Sequence, residues 1–163
     1  MVQLQIWVKN MEEKKQIRKQ IFAARKAHTD AQIEEWSRMI ADRVTTLPEY
    51  KDAKRILAYA DYNHEVMTGF IIEAAWRDGK EVAVPKVVGQ DMVFYKLTDF
   101  AQLEKGYFGI PEPARGEIVQ WEDAMMVMPG VAFEFQMLPE VPTEPTDISP
   151  EIIVTEKSAY HLK

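Results

Sequence analysis

The 163-residue chain contains no cysteine. This absence excludes disulfide bonds, thiolate catalysis and cysteine-ligated metal sites. No apolar run approaches the roughly 20 residues that a membrane-spanning helix requires. The first residues also lack a charged start, a continuous apolar stretch and a small-residue cleavage site. We therefore expect no membrane partner and a reducing, cytoplasmic location.

Positive charge is in short supply as well. The chain has 20 Lys and Arg against 26 Asp and Glu, a formal net charge of −6. An acidic chain repels a phosphate backbone, so nucleic acid is not an expected partner. The three histidines, His28, His64 and His161, are far apart and show no metal-ligand spacing. With 47% hydrophobic residues, the composition is that of a globular domain.

Strand-length apolar runs alternate with helical patterns along the chain. Thr29 with Gln32 predicts a capping box for one helix. Thr68 and Gly79 predict the N-cap and the left-handed end of another. The alternation predicts an α/β fold, a Rossmann-like three-layer domain with a mostly parallel sheet. The strand candidates are RILAYA, EVAVPKVV, MVFYKL, AMMVM and EIIVTE.

The first ten residues, MVQLQIWVKN, alternate apolar and polar side chains from Val2 to Val8. This pattern fits an edge strand or an extension upstream of a natural start at Met11. Asn10 and Glu13 have the spacing of a capping box, so we predict that the first helix begins there. We accordingly divide the chain into an extension at 1–10 and a single domain at 11–163.

The predicted first helix is basic although the chain is acidic. Lys14 with Arg18, and Lys15 with Lys19, are like-charged pairs four residues apart. Each pair destabilises an isolated helix by roughly 0.2–0.5 kcal/mol. A solvated helix face is one explanation. The alternative is a phosphate-binding site, in which arginine supplies a planar pair of donors and lysine a mobile charge.

A polar loop, ADYNHEV at residues 60–66, follows a predicted strand. Open α/β sheets place ligands at the carboxyl ends of parallel strands. There Asp61 and Glu65 can orient a polar ligand, and His64 can titrate near neutral pH. A solvated surface loop is the alternative explanation of this polarity.

Two further loops carry candidate residues. Asp147, in PTEPTDISPE, is either a turn aspartate or an oxygen ligand for magnesium, with Glu144 a less specific neighbour. Phe108, in GYFGIPEP, can stack on a flat heterocycle or cover the core. Both loops are stiffened by proline.

Taken in order, six segments resemble the 5-formyltetrahydrofolate cyclo-ligase family, also called methenyltetrahydrofolate synthetases. The resemblance runs from about Met11 to Glu156. It implies an α/β fold with a Rossmann-like sheet and an enzyme that uses ATP and Mg²⁺ to close 5-formyltetrahydrofolate to 5,10-methenyltetrahydrofolate, with release of ADP and phosphate. The segments are KKQIRKQ, KRILAYADYNHEV, GKEVAVPKV, GYFGIPEP, MVMPGVAF and LPEVPTEPTDISPEIIVTE.

The same resemblance implies roles for individual residues. Ala60 and Glu65 would line the folate site, with Phe108 as a further candidate, and Asp147 would hold magnesium. Contacts to ATP would come from Lys14, Lys15, Gln16, Ile17 and Arg18.

The chain departs from the family pattern after Phe133. In the family, PGVAF leads into a glycine-rich loop, typically GYGGGYYDRYL, which cradles phosphate. Here Phe133 is followed directly by EFQMLPEVP. A segment on the order of three or four dozen residues is absent, longer than a minimal βα connection. The fold would then lack one strand and one helix.

Three explanations of this departure stay open: residues omitted from the stated sequence, a deletion in the protein, or a fusion of two pieces. Two rival functions go with them. One is a non-catalytic protein that binds folate or nucleotide without the phosphate loop. The other is an anion-binding α/β scaffold. The sequence makes no prediction of oligomeric state.

Overall fold

The computed structural model describes residues 2–127 and 130–162, with the backbone alone for residues 2–9 and Tyr107. Met128 and Pro129, in the motif MVMPGVAF, lie outside the described residues. Within the described part, no helix combines the length and apolar character needed to cross a membrane. The α-helices found there are α1 (Val2–Lys26), α2 (Asp30–Thr46), α3 (Pro48–Asp52) and α4 (Gly69–Arg77).

A five-stranded sheet, in the order β6-β3-β2-β1-β7, forms the centre of the fold. Strand β1 pairs in parallel with β2 and β7, whereas β3 pairs antiparallel with both β2 and β6. All strands except β3 therefore run in one direction, and the predicted mixed α/β fold with a mostly parallel sheet is confirmed. The sheet consists of β1 (Arg55–Leu57), β2 (Glu81–Val88), β3 (Asp91–Lys96), β6 (Ile118–Val119) and β7 (Met125–Met126).

Two hairpins flank this sheet. Strands β4 (Leu103–Lys105) and β5 (Pro111–Pro113) pair antiparallel around the loop that holds Phe108. Strands β8 (Ile152–Val154) and β9 (Ala159–His161) form the second hairpin. A single parallel bridge between Val131 and Val154 joins that hairpin to the chain that continues from β7.

The capping signals are confirmed in part. Thr29 and Gln32 form the predicted capping box at the start of α2. Gly79 follows α4 with a φ of +74°, as a left-handed helix end requires. Thr68 is the N-cap residue of α4 as predicted, but its side chain makes no capping hydrogen bond. Its hydroxyl instead donates to the Tyr59 carbonyl oxygen at 2.5 Å.

The predicted start of α1 is also wrong. The helix runs without a break from Val2 to Lys26, so Asn10 and Glu13 lie inside it rather than at an N-cap. The backbone of residues 2–9 is helical, so the alternating pattern there does not form an edge strand. A two-residue period is a weak signal in eight residues, and the adjoining strong helix formers extend the helix through it.

The core lies between the sheet and the helices. Its members include Ile40 of α2, Ile71 of α4 and Ile56 of β1, each with no exposed surface. Phe133 is also fully buried and stacks on Phe135 with ring centroids 5.4 Å apart. This stacking anchors the chain after β7, and residues 137–151 then continue without helix or strand.

Candidate functional site

One face of α1 is turned towards the rest of the molecule and carries the candidate site. Lys14, Ile17, Ile21, Arg25 and His28 are partly buried, whereas most of their neighbours along the helix are exposed. Their spacing of three or four residues places them in one stripe. Lys14 and Arg25 are 11 residues apart, which corresponds to about 16 Å along the helix axis.

At one end of this stripe, α1 meets the proline-rich segment near the carboxyl end. The Lys14 Nζ donates a hydrogen bond to Asp147 Oδ2 at 2.7 Å and lies 3.4 Å from Glu144 Oε1. Asp147 Oδ2 also accepts the Glu144 backbone N–H at 2.9 Å. We call Lys14, Arg18, Glu144 and Asp147 the Lys14 cluster. It joins residues that are 133 positions apart in the sequence.

Charge is balanced within the Lys14 cluster. The hydrogen bond from Lys14, assisted by the Glu144 N–H, holds the pKa of the Asp147 carboxyl below its ordinary value. Arg18, one turn further along α1, adds a smaller electrostatic contribution in the same direction. In return, the hydrogen bond to Asp147 raises the pKa of Lys14. The cluster therefore presents cations and carboxylates together at neutral pH.

The other predicted contacts on α1 differ in orientation. Ile17 lies on the partly buried stripe, whereas Lys15 and Gln16 are exposed on the opposite side. The structure therefore brings Lys14 into contact with the carboxylates, whereas Lys15, Gln16 and Arg18 are exposed.

At the other end of the stripe, α1 contacts residues 60–66, which we call the Glu65 loop. Ala60 is partly buried at its start. Glu65 Oε2 accepts the Tyr62 backbone N–H at 3.0 Å, and Glu65 Oε1 lies 3.8 Å from the Arg25 guanidinium. Burial raises the pKa of Glu65, while the Tyr62 N–H and Arg25 oppose that shift.

Asp61 has a structural task in this loop. Its Oδ1 accepts the Thr68 backbone N–H at 3.0 Å and the Thr68 hydroxyl at 3.3 Å. The carboxylate thereby holds the N-cap residue of α4, at the helix end where a negative charge is favourable. Burial raises the pKa of Asp61, and these hydrogen bonds oppose the shift. Its contacts tie the Glu65 loop to the start of α4.

His64 connects the same loop to the α1–α2 junction. Its Nδ1 lies 3.0 Å from the Arg25 carbonyl oxygen, and its Nε2 lies 2.6 Å from Asp30 Oδ1. Sequence reasoning selected His64 and Glu65 but missed Arg25 and Asp30. The helical spacing of Arg25 with Lys14 and Ile21 on one stripe is the signal that could have identified Arg25.

The loop that holds Phe108 approaches the Glu65 loop through Tyr62. A Cβ atom on Gly109 would lie 3.4 Å from the Tyr62 Oη. Phe108 has a left-handed φ of 56° and a side chain that is 77% exposed. The ring therefore does not serve to cover the core, and the next residue, Gly109, lies close to Tyr62.

The described residues do not form a preformed site for a divalent cation. Among residues 2–127 and 130–162, no group of three or more His, Asp or Glu side chains is arranged to hold a metal. Magnesium bound with a nucleotide needs only one or two carboxylates, because phosphate oxygens and water complete its shell. Asp147 and Glu144, which already share one ammonium group, suit that requirement.

Comparison with known protein families and sequences gives two matches. A family model described as the 5-formyltetrahydrofolate cyclo-ligase family matches residues 10–134. A probable 5-formyltetrahydrofolate cyclo-ligase of Schizosaccharomyces pombe is 31% identical over 112 residues, covering 63% of this chain and 53% of the relative. The chain thus spans about half the length of this curated relative.

Two solved structures share the fold. The NMR structure of Aquifex aeolicus 5,10-methenyltetrahydrofolate synthetase superposes with a TM-score of 0.80 at 26% identity, over 92% of this chain and 93% of that one. A 5,10-methenyltetrahydrofolate synthetase from Mycoplasma pneumoniae gives a TM-score of 0.62 at 16% identity, over 88% of this chain and 99% of that one.

Proposed function

Because the chain belongs to the 5-formyltetrahydrofolate cyclo-ligase family, we propose that it catalyses the ATP- and Mg²⁺-dependent cyclisation of 5-formyltetrahydrofolate to 5,10-methenyltetrahydrofolate, with release of ADP and phosphate. The observation that carries this proposal is the 2.7 Å contact between Lys14 and Asp147. It brings a side chain suited to phosphate and a side chain suited to magnesium to one place.

The residue types fit the chemistry of this reaction. The formyl oxygen is a poor leaving group, so transfer of the terminal phosphoryl group of ATP to that oxygen activates the formyl carbon. The neighbouring nitrogen of the folate then attacks this carbon, and phosphate departs. Phosphoryl transfer depends mostly on positioning and on neutralising charge. Lys14 and Arg18 are the cations that would meet the phosphates, on the helix that also carries Lys15, Gln16 and Ile17.

Asp147, with Glu144 beside it, would hold the magnesium ion that accompanies ATP. The donor set fits, because carboxylate oxygens are preferred ligands of this cation and two of them lie near Lys14. Magnesium bound there would supply charge neutralisation at the phosphates. The lowered pKa of Asp147 favours this role, because its surroundings keep the carboxylate ionised and able to bind a cation.

The folate substrate would contact the Glu65 loop at the other end of the α1 stripe, with ATP extending from the Lys14 cluster along the stripe so that its terminal phosphate reaches the formyl oxygen. Ala60 and Glu65 would line its pocket, and Phe108 would stack on the flat pterin ring. Two observations support this assignment. Glu65 is held by the Tyr62 N–H with one oxygen facing Arg25, and the Phe108 ring is exposed on a loop whose Gly109 lies close to Tyr62.

We further propose that the domain is Rossmann-like and lacks one strand and helix of the family. The family match ends at residue 134, and the chain covers 53% of its S. pombe relative. Phe133 is followed by a short 3₁₀ helix, Glu134–Gln136, and then by residues 137–151 without helix or strand. The chain nevertheless superposes on 93% of the A. aeolicus structure.

This shortening favours one alternative function, a non-catalytic protein that binds folate or nucleotide. Without a glycine-rich loop, the phosphates would lack backbone N–H donors, and the Lys14 cluster alone would neutralise their charge. Binding could then persist while phosphoryl transfer is lost.

The test mixes the full chain with 5-formyltetrahydrofolate, ATP and Mg²⁺ and follows the absorbance of the methenyl product. Product formation that requires all three additions would support the enzymatic proposal. Folate binding by calorimetry with no response to ATP would support the binding protein instead. If neither ligand raises the melting temperature, the remaining hypothesis is an anion-binding scaffold with no role in folate chemistry.

A further inference from the structure

The Glu65 loop contains two consecutive non-glycine residues in the left-handed region. Asn63 has a φ of 48° and His64 a φ of 56°. Side chains seldom adopt this conformation, and two in succession persist only when the surrounding structure holds them. The contacts of His64 are therefore of interest, because they connect this unusual backbone to two helices.

Both ring nitrogens of His64 face groups that only accept hydrogen bonds. The partner of Nδ1 is the Arg25 carbonyl oxygen at 3.0 Å, and the partner of Nε2 is the Asp30 carboxylate at 2.6 Å. A neutral imidazole has one N–H and can satisfy one of these acceptors. Only the doubly protonated ring donates to both, so the geometry selects the imidazolium.

The groups around His64 come from three elements. From α1, the Arg25 carbonyl faces the ring while the Arg25 guanidinium is directed to Glu65 at 3.8 Å. From α2, Asp30 is the facing charge. From the loop itself, Glu65 is bound to the Tyr62 N–H and Asp61 to the start of α4. Arg25 thus contacts both His64 and Glu65, and links the two residues.

We propose that the His64 imidazolium is a positioning residue that holds Glu65 against Arg25 for recognition of the pterin, so that folate affinity falls as the pH rises above neutral. This inference rests on the proposed folate role of Glu65. Loss of the proton leaves one acceptor facing an unprotonated ring nitrogen. That repulsion releases the strained loop and its neighbour Glu65.

The direction of the pH effect follows from the contacts. The hydrogen bond to the Arg25 carbonyl, and then the one to Asp30, raise the pKa of His64 above its ordinary value. A raised pKa means that the imidazolium contacts are fully formed below the unfolded-state value of about 6.5 and are lost as the pH rises through the folded-state value. One linked proton allows at most about a tenfold change in affinity per pH unit.

The experiment measures binding of 5-formyltetrahydrofolate to the full chain by calorimetry between pH 7 and pH 9. We expect the affinity of the unaltered chain to fall by about tenfold over this range, in keeping with one linked proton. His64→Gln should bind weakly at pH 7 and show no pH dependence. His161→Gln, which changes an exposed histidine of β9, should retain the original profile. A pH profile that His64→Gln leaves intact would overturn the proposal.

A second measurement separates this inference from the proposed function. Proton NMR of the ligand-free chain reports the titration of the His64 ring directly. A midpoint above about 6.5 that falls in Asp30→Asn supports the role of the His64 imidazolium in holding the loop, even if no folate binds at any pH, a result that would count against the enzymatic proposal alone. A midpoint at or below 6.5, or one that Asp30→Asn does not move, overturns that role.

Discussion

Asp147 and Glu65 lie against opposite ends of one stripe of α1, and their surroundings act on them in opposite directions. Lys14 lowers the pKa of Asp147, whereas burial raises that of Glu65. Asp147 sits on a segment without helix or strand, held by side-chain contacts. The loop of Glu65 is fixed through backbone groups at both helix ends.

This difference suits two kinds of ligand. A carboxylate that stays ionised and is paired with a flexible lysine can exchange that partner for a metal ion and phosphates. A carboxylate on a fixed loop is preorganised to bind the hydrogen-bonding edge of a heterocycle. Mutations at the two ends should therefore separate nucleotide effects from folate effects.

Asp147→Asn is expected to give the largest difference between the effect on ATP and the effect on folate. Removal of the charge should weaken the proposed magnesium site and the attraction within the Lys14 cluster, and we expect kcat/KM for ATP to fall by about a hundredfold, or about 2.7 kcal/mol. Folate binding should be unchanged. Steady-state kinetics with ATP varied would measure this. Glu140→Gln, an exposed carboxylate of the same segment, is the matched control, and an equal loss in both variants would contradict the assignment.

Arg18→Ala should have the second-largest effect. Loss of one guanidinium contact to phosphate is expected to weaken ATP binding by about tenfold, since a hydrogen bond between charged groups contributes about 1.5–3 kcal/mol. Lys19→Ala removes the same charge from an exposed position of α1 and should change affinity far less. Calorimetric titration of ATP distinguishes them. If Arg18→Ala weakened folate and ATP equally, the residue would not be specific to the nucleotide end.

Glu65→Gln tests the other end. The neutral side chain keeps its shape but loses the attraction to Arg25 and a strong acceptor, so folate binding should weaken by about tenfold. ATP binding should be retained. Glu35→Gln, on the exposed side of α2, serves as the comparison. Unchanged folate affinity in Glu65→Gln would remove this residue from the site.

The smallest effect concerns stability. Asp61→Ala removes the carboxylate that accepts the Thr68 N–H at the start of α4, and we expect a loss of about 1 kcal/mol of unfolding free energy. Lys14→Met should cost less, because an ion pair between partly exposed side chains contributes about 0–1 kcal/mol. Urea unfolding of both variants measures which substitution lowers the free energy of unfolding more. A larger loss in Lys14→Met would mean that the Lys14 cluster is mainly structural.

Local signals in the sequence predicted local structure well. The capping box of Thr29 and Gln32 and the left-handed Gly79 are determined by neighbouring residues, and both are confirmed. The prediction that α1 starts at Asn10 was wrong because helical residues precede Asn10, although Asn10 is a residue type that often caps a helix. Helix α3 after Pro48 was not predicted, since a five-residue helix has too few positions to show a period.

Long-range contacts were beyond local signals. The sequence identified Lys14 and Asp147 as candidates through a family resemblance, but their meeting depends on how α1 packs against a segment 133 residues away. The links from His64 to Arg25 and Asp30 depend on two left-handed residues, which no local pattern indicated. Such contacts arise from tertiary packing.

The central claim is that one stripe of α1 serves two ligands at its two ends, and amide NMR of the full chain tests it most directly. ATP with Mg²⁺ should shift the amide signals of residues 14–18 and 144–147, and 5-formyltetrahydrofolate should shift those of residues 60–65. Stronger shifts by ATP at residues 60–65 than at residues 14–18, or no shift by either ligand at either end, would contradict the account.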